Sequence, residues 1–403
     1  MIEKKQKVVV IGHGYTSRLG VIRALGRFGY EVIDIVMVVN KRKGGPDYSP
    51  PIDSYSKYVR RVYYCLPDFD LLVSLLLEKC VDENQKVVLI PDSDFSAAAI
   101  DLNQEKLEKF FLFPHIHHTP GAVVAWMSKL RQKEIARKIG LNVADGEVVE
   151  VVDGKYRLPV AIHYPCFPKP LLTLVGAKTG LGRCNSEQEL RRVIDLLIKR
   201  SSTVSILIEE YKVIEDEYAL LGVSDGKIVH IPGILHLTSL ASGSHYGVAS
   251  RGEILPIDGF AELLNLFKSF VQETEFVGIF DIDFYKSDGK YYFCEMNFRY
   301  GGSGYAYTKS DINLPAIFAE LMQGKPMDST SYVRKRSIYV NERMCLDDWY
   351  NGFISTREFR VLLKNSDISF VADKDDPEPQ QEFERLVRKK GVKRFIRSCV
   401  GRR

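Results

Sequence analysis

The segment from Gly278 to Arg299 constrains this chain more than any other. Two runs of β-branched and aromatic residues flank Ser287-Asp-Gly-Lys290, a turn in which Gly289 supplies a positive φ, so the stretch reads as a β-hairpin. Side chains alternate across a strand. Asp281 and Asp283 therefore share one face of the first arm, and Glu295 and Asn297 share one face of the second. Three carboxylates and an amide on one surface repel strongly unless a cation lies between them, and hard oxygen donors of this kind suit magnesium held together with substrate phosphates. A solvated sheet edge would favour Lys and Thr over an Asn set between a Glu and an Arg amid aromatics.

Asp283 followed by Glu295-Met-Asn297-Phe-Arg299 resembles the metal-binding hairpin of the ATP-grasp superfamily, in which an acid and then Glu-x-Asn-x-Arg hold magnesium on the ATP phosphates. The resemblance covers roughly residues 120 to 325 and implies ATP and magnesium, or manganese in its place, as cofactors. Asp283, Glu295 and Asn297 would be the metal ligands, and Arg299 would stabilise charge on the transferring group. Asp281 is either a supporting acid or a neighbour on the same face.

Further residues follow from the same resemblance. Lys129 opens a helical pattern that ends at Gly140, as in the first ATP-grasp subdomain, where such a lysine is directed at the phosphates. Tyr164-Pro-Cys-Phe-Pro-Lys169-Pro170 resembles the strand whose lysine approaches the α-phosphate, and a lysine amid apolar residues needs an anion to offset its desolvation. The stretch from Thr173 to Arg183, with Gly176, Lys178, Thr179, Gly180 and Gly182, fits the glycine-rich loop that closes over the phosphates. Ser205 to Val213 reads as a strand leaving an apolar core and ending in two acids, like the hinge that reads adenine. Glu210 or Glu209, with Tyr211 and Val213, would meet the adenine edge, and Glu217 the ribose hydroxyls. Arg251 lies in a polar stretch with His236, Ser242, Ser244 and His245, where a substrate carboxylate would pair with it.

The remainder of the chain sets the frame. Its 403 residues suffice for two or three cored domains, and 45% hydrophobic with 27% charged residues is an ordinary globular composition. A net charge of +4 argues against nucleic acid as the main partner. Seven scattered cysteines without Cys-x-x-Cys spacing fit thiols in a reducing cytoplasm rather than zinc or a disulfide framework. No apolar run reaches the length of a signal core or a membrane span, so a cytoplasmic location is expected.

The expected fold class is α/β with α+β: an N-terminal parallel α/β domain at 1–118, then a two-subdomain ATP-grasp domain at 119–330, divided at 208/209. The first domain shows alternating strands and helices, with Gly12-His-Gly14 after the first strand and Pro91-Asp-Ser-Asp94 after another. A C-terminal extension at 331–403 passes through a turn or linker at Asp373 to Pro379 into a basic helix-like tail suited to peripheral contact with an anionic membrane.

Within the superfamily the chain is most similar to D-aspartate ligase-like carboxylate-amine ligases, through Val88 to Asp94 and the Arg299-Tyr-Gly-Gly-Ser-Gly304-Tyr-Ala-Tyr run. That likeness implies a small-molecule carboxylate and an amine as substrates, with Gly302 and Ser303 beside the acceptor, and is compatible with an oligomer. Two other readings stand beside it: a bicarbonate-activating enzyme of carboxylase or carbamoyl-phosphate type, and a non-catalytic nucleotide-binding partner.

Overall fold

The structure is a computed structural model that describes residues 6–13, 16–38, 40–41, 45–46, 48, 50–172, 174, 181–238 and 249–400. Its first layer is a parallel sheet. Strand β1 (Lys7–Gly12) leads through helix α1 (Thr16–Arg27) to β2 (Glu31–Met37), then β3 (Val59–Cys65), helix α2 (Phe69–Lys79), β4 (Val87–Pro91), helix α3 (Asp94–Leu102) and β5 (Phe111–Leu112). The spatial order is β3-β2-β1-β4-β5. Strands buried on both faces are nearly continuous apolar runs, and Val8 to Ile11 and Val87 to Ile90 are all at most 1% exposed. Strand order reverses between β1 and β4, and the crevice outside their carboxyl ends is where such sheets hold ligands.

A second unit begins with helix α4 (Lys129–Ile139), stopped by Gly140 in the left-handed region. Strands β6 (Gly146–Val151), β7 (Cys166–Pro170) and β8 (Val204–Glu210) form an antiparallel sheet ordered β6-β8-β7. Helix α5 (Glu187–Ile198) covers it, burying Leu190, Ile194 and Leu197 at helical spacing against Val149, Ile206 and Ile208.

The third unit is a sheet with ten strands among the described residues. Its main members are β9 (Asp216–Asp225), β10 (Ile234–Thr238), β11 (Arg251–Leu255), β12 (Phe276–Ser287), β13 (Lys290–Asn297), β14 (Ser337–Val340) and β15 (Ile368–Ser369). Helix α6 (Ala261–Thr274) packs Leu264, Phe267 and Phe270 on one face. The other face shares a core with the parallel sheet, where Ala219, Leu221, Tyr305 and Phe318 meet Val8, Val10, Val21 and Ile90.

The C-terminal residues are built into this body. β14 pairs with β11, and β15 pairs with β14. The Asp373 to Pro379 stretch is a clamp rather than a free linker. Asp376 is fully buried against Arg23 at 2.7 Å, and Asp373 pairs with Lys309 at 2.9 Å and with Arg27. Helix α7 (Glu342–Asn351) receives the last helix, α8 (Glu378–Val400), and two of the tail's cations turn inward there. Lys390 pairs with Asp347, and Arg394 donates to Trp349 O and lies over its ring. Arg388, Lys389 and Lys393 remain exposed, whereas Arg402 and Arg403 lie outside the described residues. Among the described residues no helix is long and apolar enough to cross a membrane.

Candidate active site

The hairpin β12/β13 pairs Asp281 with Asn297 and Asp283 with Glu295, so four oxygen-bearing side chains occupy neighbouring positions on one face. Asn297 Nδ2 donates to Asp283 Oδ2 at 3.4 Å. A bulge explains how an apolar hairpin delivers them. The register shifts after Asp283, so Phe284 faces Phe293 and Cys294 is the extra residue. With strict alternation, Tyr291, Phe293 and Glu295 would share a face, sending the glutamate into the Phe267/Phe270 core. The bulge instead keeps Phe293 and Met296 in that core and turns Glu295 to the site.

Lysines converge on this face from two directions. The buried stripe of α4 is Lys129, Gln132, Lys133 and Ala136, at i, i+3, i+4 and i+7. Gln132 locks the helix to the hairpin: its Nε2 donates to Met296 O at 2.9 Å, and its Oε1 accepts from Met296 N at 2.8 Å. That anchoring sets Lys129 Nζ 2.9 Å from Glu295 Oε2. On the small sheet Lys169 faces Leu207 and Phe167 faces Glu209, and the diagonal neighbours Lys169 and Glu209 form an ion pair of 2.9 Å. Lys133 reaches the same carboxylate and donates to Ala144 O at 3.2 Å.

All of these groups are nearly dry, with Lys129, Lys133, Lys169, Glu209, Glu295 and Asn297 each at most 9% exposed. Burial opposes every charge, and the partners decide the balance. Burial works against the Lys169 ammonium, but Glu209 and the other acids around it hold its affinity for the proton above the ordinary lysine value. Lys133 goes the other way, pushed down by burial and by Lys169. For Glu209, burial is outweighed by the two lysines, which keep it ionised.

Arg299 closes the site toward the parallel sheet. It donates to Asp281 Oδ2 at 2.8 Å and lies 3.4 Å from Asp94 Oδ1, at the start of α3. Tyr300 N donates to Pro91 O at 3.2 Å, so the hairpin's end meets the crevice beside β4. Gly301 is required by this approach: a Cβ there would lie 2.6 Å from the Asp281 carboxylate. Gly301→Ala should displace Asp281 and with it Arg299. Turnover is expected to fall by roughly tenfold to a hundredfold, with the melting temperature little changed; steady-state kinetics beside a thermal melt checks both.

The other expected positions fall as follows. Glu217 faces Tyr285 across β9/β12, and Ala219 faces Asp283, which sets Glu217 on the metal-acid face. Glu210 and Glu209 point to opposite sides of β8. Glu210 accepts from Asp145 N at 3.2 Å and pairs with Lys212 at 3.0 Å. Tyr211 N donates to Pro165 O, Arg183 lies over the Tyr211 ring, and Val213 is exposed. Gly302 is open to solvent, and Ser303 accepts from Tyr339 Oη at 3.2 Å. Arg251 is not brought to the acids. It pairs with Thr238 while Gly252 pairs with Leu237, and alternation turns it to the face opposite Glu217. Lys178 lies outside the described residues, as do Gly176, Thr179, Gly180, Ser242, Ser244 and His245. Lys133 went unnoticed in the sequence, although its i+4 spacing from Lys129 was the available signal.

The donor set fits magnesium carried in with a nucleotide. Among the described residues no cluster of three or more His, Cys, Asp or Glu is arranged to hold a metal unaided, and magnesium is commonly bound through one or two carboxylates plus substrate phosphates. Asp283 and Glu295, with the Asn297 amide, supply that number, while Asp281 is engaged in holding Arg299.

This three-part architecture is the ATP-grasp fold. N5-carboxyaminoimidazole synthetase from Staphylococcus aureus superposes with a TM-score of 0.57 at 16% identity, covering 83% of each chain. L-amino acid ligase from Bacillus licheniformis gives a TM-score of 0.58 at 17% identity, over 83% of this chain and 80% of that one. The biotin carboxylase domain of 2-oxoglutarate carboxylase from Hydrogenobacter thermophilus, in complex with MgADP, ADP and bicarbonate, gives 0.60 at 19% identity, over 83% and 74%. In sequence, the carbamoyl phosphate synthase large chain of Gemmatimonas aurantiaca is 22% identical over 222 residues. That match takes in 54% of this chain but only 20% of the relative's length. No protein-family profile matches the chain.

Proposed function

We propose that this protein is an ATP-dependent ligase of the carboxylate-amine type, which phosphorylates a small-molecule carboxylate and passes the acyl group to an amine, releasing ADP and phosphate. The observation that carries this reading is the convergence of Lys129, Lys169 and Arg299 on the face that bears Asp283, Glu295 and Asn297. Asp283, Glu295 and Asn297 would hold magnesium, or manganese in its place. When bound, the metal neutralises the phosphate oxygens of ATP and aligns the γ-phosphoryl group.

The chain's own groups do the rest. Lys129 and Lys169 exchange part of their pairing with Glu295 and Glu209 for phosphate oxygens, keeping charge balanced in a dry site. Arg299, fixed by Asp281 and Asp94, stabilises negative charge on the transferring group without having to reorganise. Glu217 holds the ribose hydroxyls. The N–H groups of Glu210 and Tyr211 are committed to Asp145 O and Pro165 O, which leaves the backbone near Val213 to read the adenine edge. Gly302 and Ser303 lie on the acceptor side, and an amino acid such as aspartate is the first carboxylate to try.

Lys169→Met should lower kcat/KM for ATP by about a hundredfold. Lys133→Met should lower it by far less, because that ammonium is already bound between Glu209 and Ala144 O. Steady-state kinetics with varied ATP separates the two.

The deciding experiment is ATP- and magnesium-dependent hydroxamate formation, with hydroxylamine as surrogate amine and a panel of carboxylates including both enantiomers of aspartate. Hydroxamate from one carboxylate supports the ligase reading and names half of the reaction. A second reading is favoured by the likeness to carbamoyl phosphate synthase large chains and to a biotin carboxylase domain. ADP release stimulated by bicarbonate, with no hydroxamate from any carboxylate, would replace the first reading with that one.

A further inference from the structure

Two cysteines face each other at the foot of the glycine-rich segment. Cys166 opens β7, three residues before Lys169, and Cys184 follows Gly182-Arg183. They form an isolated antiparallel bridge, with Cys166 N donating to Cys184 O at 2.9 Å and Cys184 N donating to Cys166 O at 2.8 Å. Residues that exchange both bonds lie directly opposite, their Cα atoms about 5.5 Å apart and their side chains on the same face. That separation falls within the roughly 4.4–6.8 Å spanned by disulfide-bonded cysteines. The two side chains share one core: each is 1% exposed among Val149, Leu190, Ile194 and Ile206. Cys184 Sγ in turn donates to Gly182 O at 3.6 Å.

We propose that Cys166 and Cys184 are a reversible redox pair whose disulfide ties together the two ends of the segment between them. The oxidant is a low-molecular-weight disulfide. The Cys184 thiolate attacks one of its sulfurs, forming a mixed disulfide and releasing one small thiol. Cys166, after losing its proton, then attacks Cys184 Sγ; the protein S–S bond forms and the second small thiol leaves. Two protein thiols are oxidised, one small disulfide is reduced, and the two protons end on the small thiols.

Burial pushes both thiols up, Cys166 to about 12, so exchange proceeds from local opening of the small sheet rather than from its closed form. The pair sits in a hydrogen-bonded register, in which Cβ atoms lie toward about 5.5 Å, whereas a disulfide draws them to about 3.8 Å. The bond therefore forms against backbone resistance, and strained disulfides are the readily reduced ones. This reading goes beyond the ligase chemistry and does not depend on it.

The test equilibrates the full-length protein in glutathione buffers from reducing to oxidising, blocks remaining thiols by alkylation under denaturing conditions, and maps the peptides by mass. The expected result is a peptide pair joined through Cys166 and Cys184, lighter by two hydrogens, that accumulates as the buffer becomes oxidising and is lost on return to reducing buffer. Cys184→Ser and Cys184→Ala should each remove it. The wild-type map stands even if both variants fold poorly. Two results overturn the proposal: both cysteines alkylated at every ratio, or Cys166 captured by glutathione or another cysteine as readily as by Cys184. Neither result bears on ATP turnover, so failure here is distinguishable from failure of the ligase reading.

Discussion

Glu295→Gln is expected to lower ATP turnover on the order of a thousandfold or more, the largest effect of any single conservative change in the site. Glutamine keeps the volume and an acceptor oxygen 2.9 Å from Lys129, so the helix-to-hairpin contact survives while one negative charge is lost. Asp283 is then left as the one carboxylate of the proposed metal set. The measurement is ADP release with the substrate pair found by the hydroxamate screen, beside titration calorimetry of ADP with and without magnesium. Magnesium should tighten ADP binding to the wild type and do so much less for the variant, while ADP alone binds both alike. Full turnover in Glu295→Gln would remove the metal role from this hairpin.

The second large effect is on stability. Arg23→Met should destabilise the protein by about 3–5 kcal/mol, the cost of removing one partner from a buried, hydrogen-bonded ion pair. Arg23 is fully buried and donates to Asp376 Oδ2 at 2.7 Å, Phe370 O at 3.0 Å, Val371 O at 3.0 Å and Asp376 O at 2.9 Å. Asp376 also accepts from Ser56 Oγ and Lys57 N, both at 2.8 Å. Methionine fills the space but leaves Asp376 buried without its cation. Arg23→Lys should be only partly tolerated, because an ammonium cannot serve the carboxylate and three carbonyls as a planar guanidinium does. Urea unfolding of the three proteins tests this. A Met variant as stable as the wild type would mean that the C-terminal residues dock independently of α1.

The hairpin was legible because its information is local. Turn chemistry at Asp288-Gly289, period-two alternation and the Glu-x-Asn-x-Arg spacing all lie within 22 residues from Gly278 to Arg299. The three inner strands of the parallel domain were readable for the same reason, since strands buried on both faces are largely apolar runs, whereas the edge strand Val59–Cys65 is half exposed and carries two arginines. The bulge at Cys294 was not readable: alternation alone predicts a face for each residue, and only packing of Phe293 and Met296 beneath α6 decides where the alternation breaks. The choice between Glu209 and Glu210 was left open for a related reason. A single residue's register decides which acid meets Lys133 and Lys169 and which meets Lys212. The stretch from Asp373 to Pro379 reads as a turn or linker because charged residues usually lie in water, yet arginines some 350 positions earlier in the chain bury Asp373 and Asp376.

The sequence by itself determined the chemistry available: which oxygen donors, which lysines and which arginine the chain owns, and that each arm of a hairpin would present its own pair of donors on one face; the bulge then brought the two pairs to the same face. Backbone periodicity is a property of a few neighbouring residues, so short-range pattern suffices for that much. The tertiary structure alone decided which charges meet. Lys129 reaches Glu295 because Gln132 pins α4 to Met296, Arg299 reaches Asp94 because Tyr300 N binds Pro91 O, and Arg251 faces away because β11 registers against β10. Ion pairing falls off within a few ångströms, and contacts at that range between distant segments are fixed only when the cores beneath them are packed.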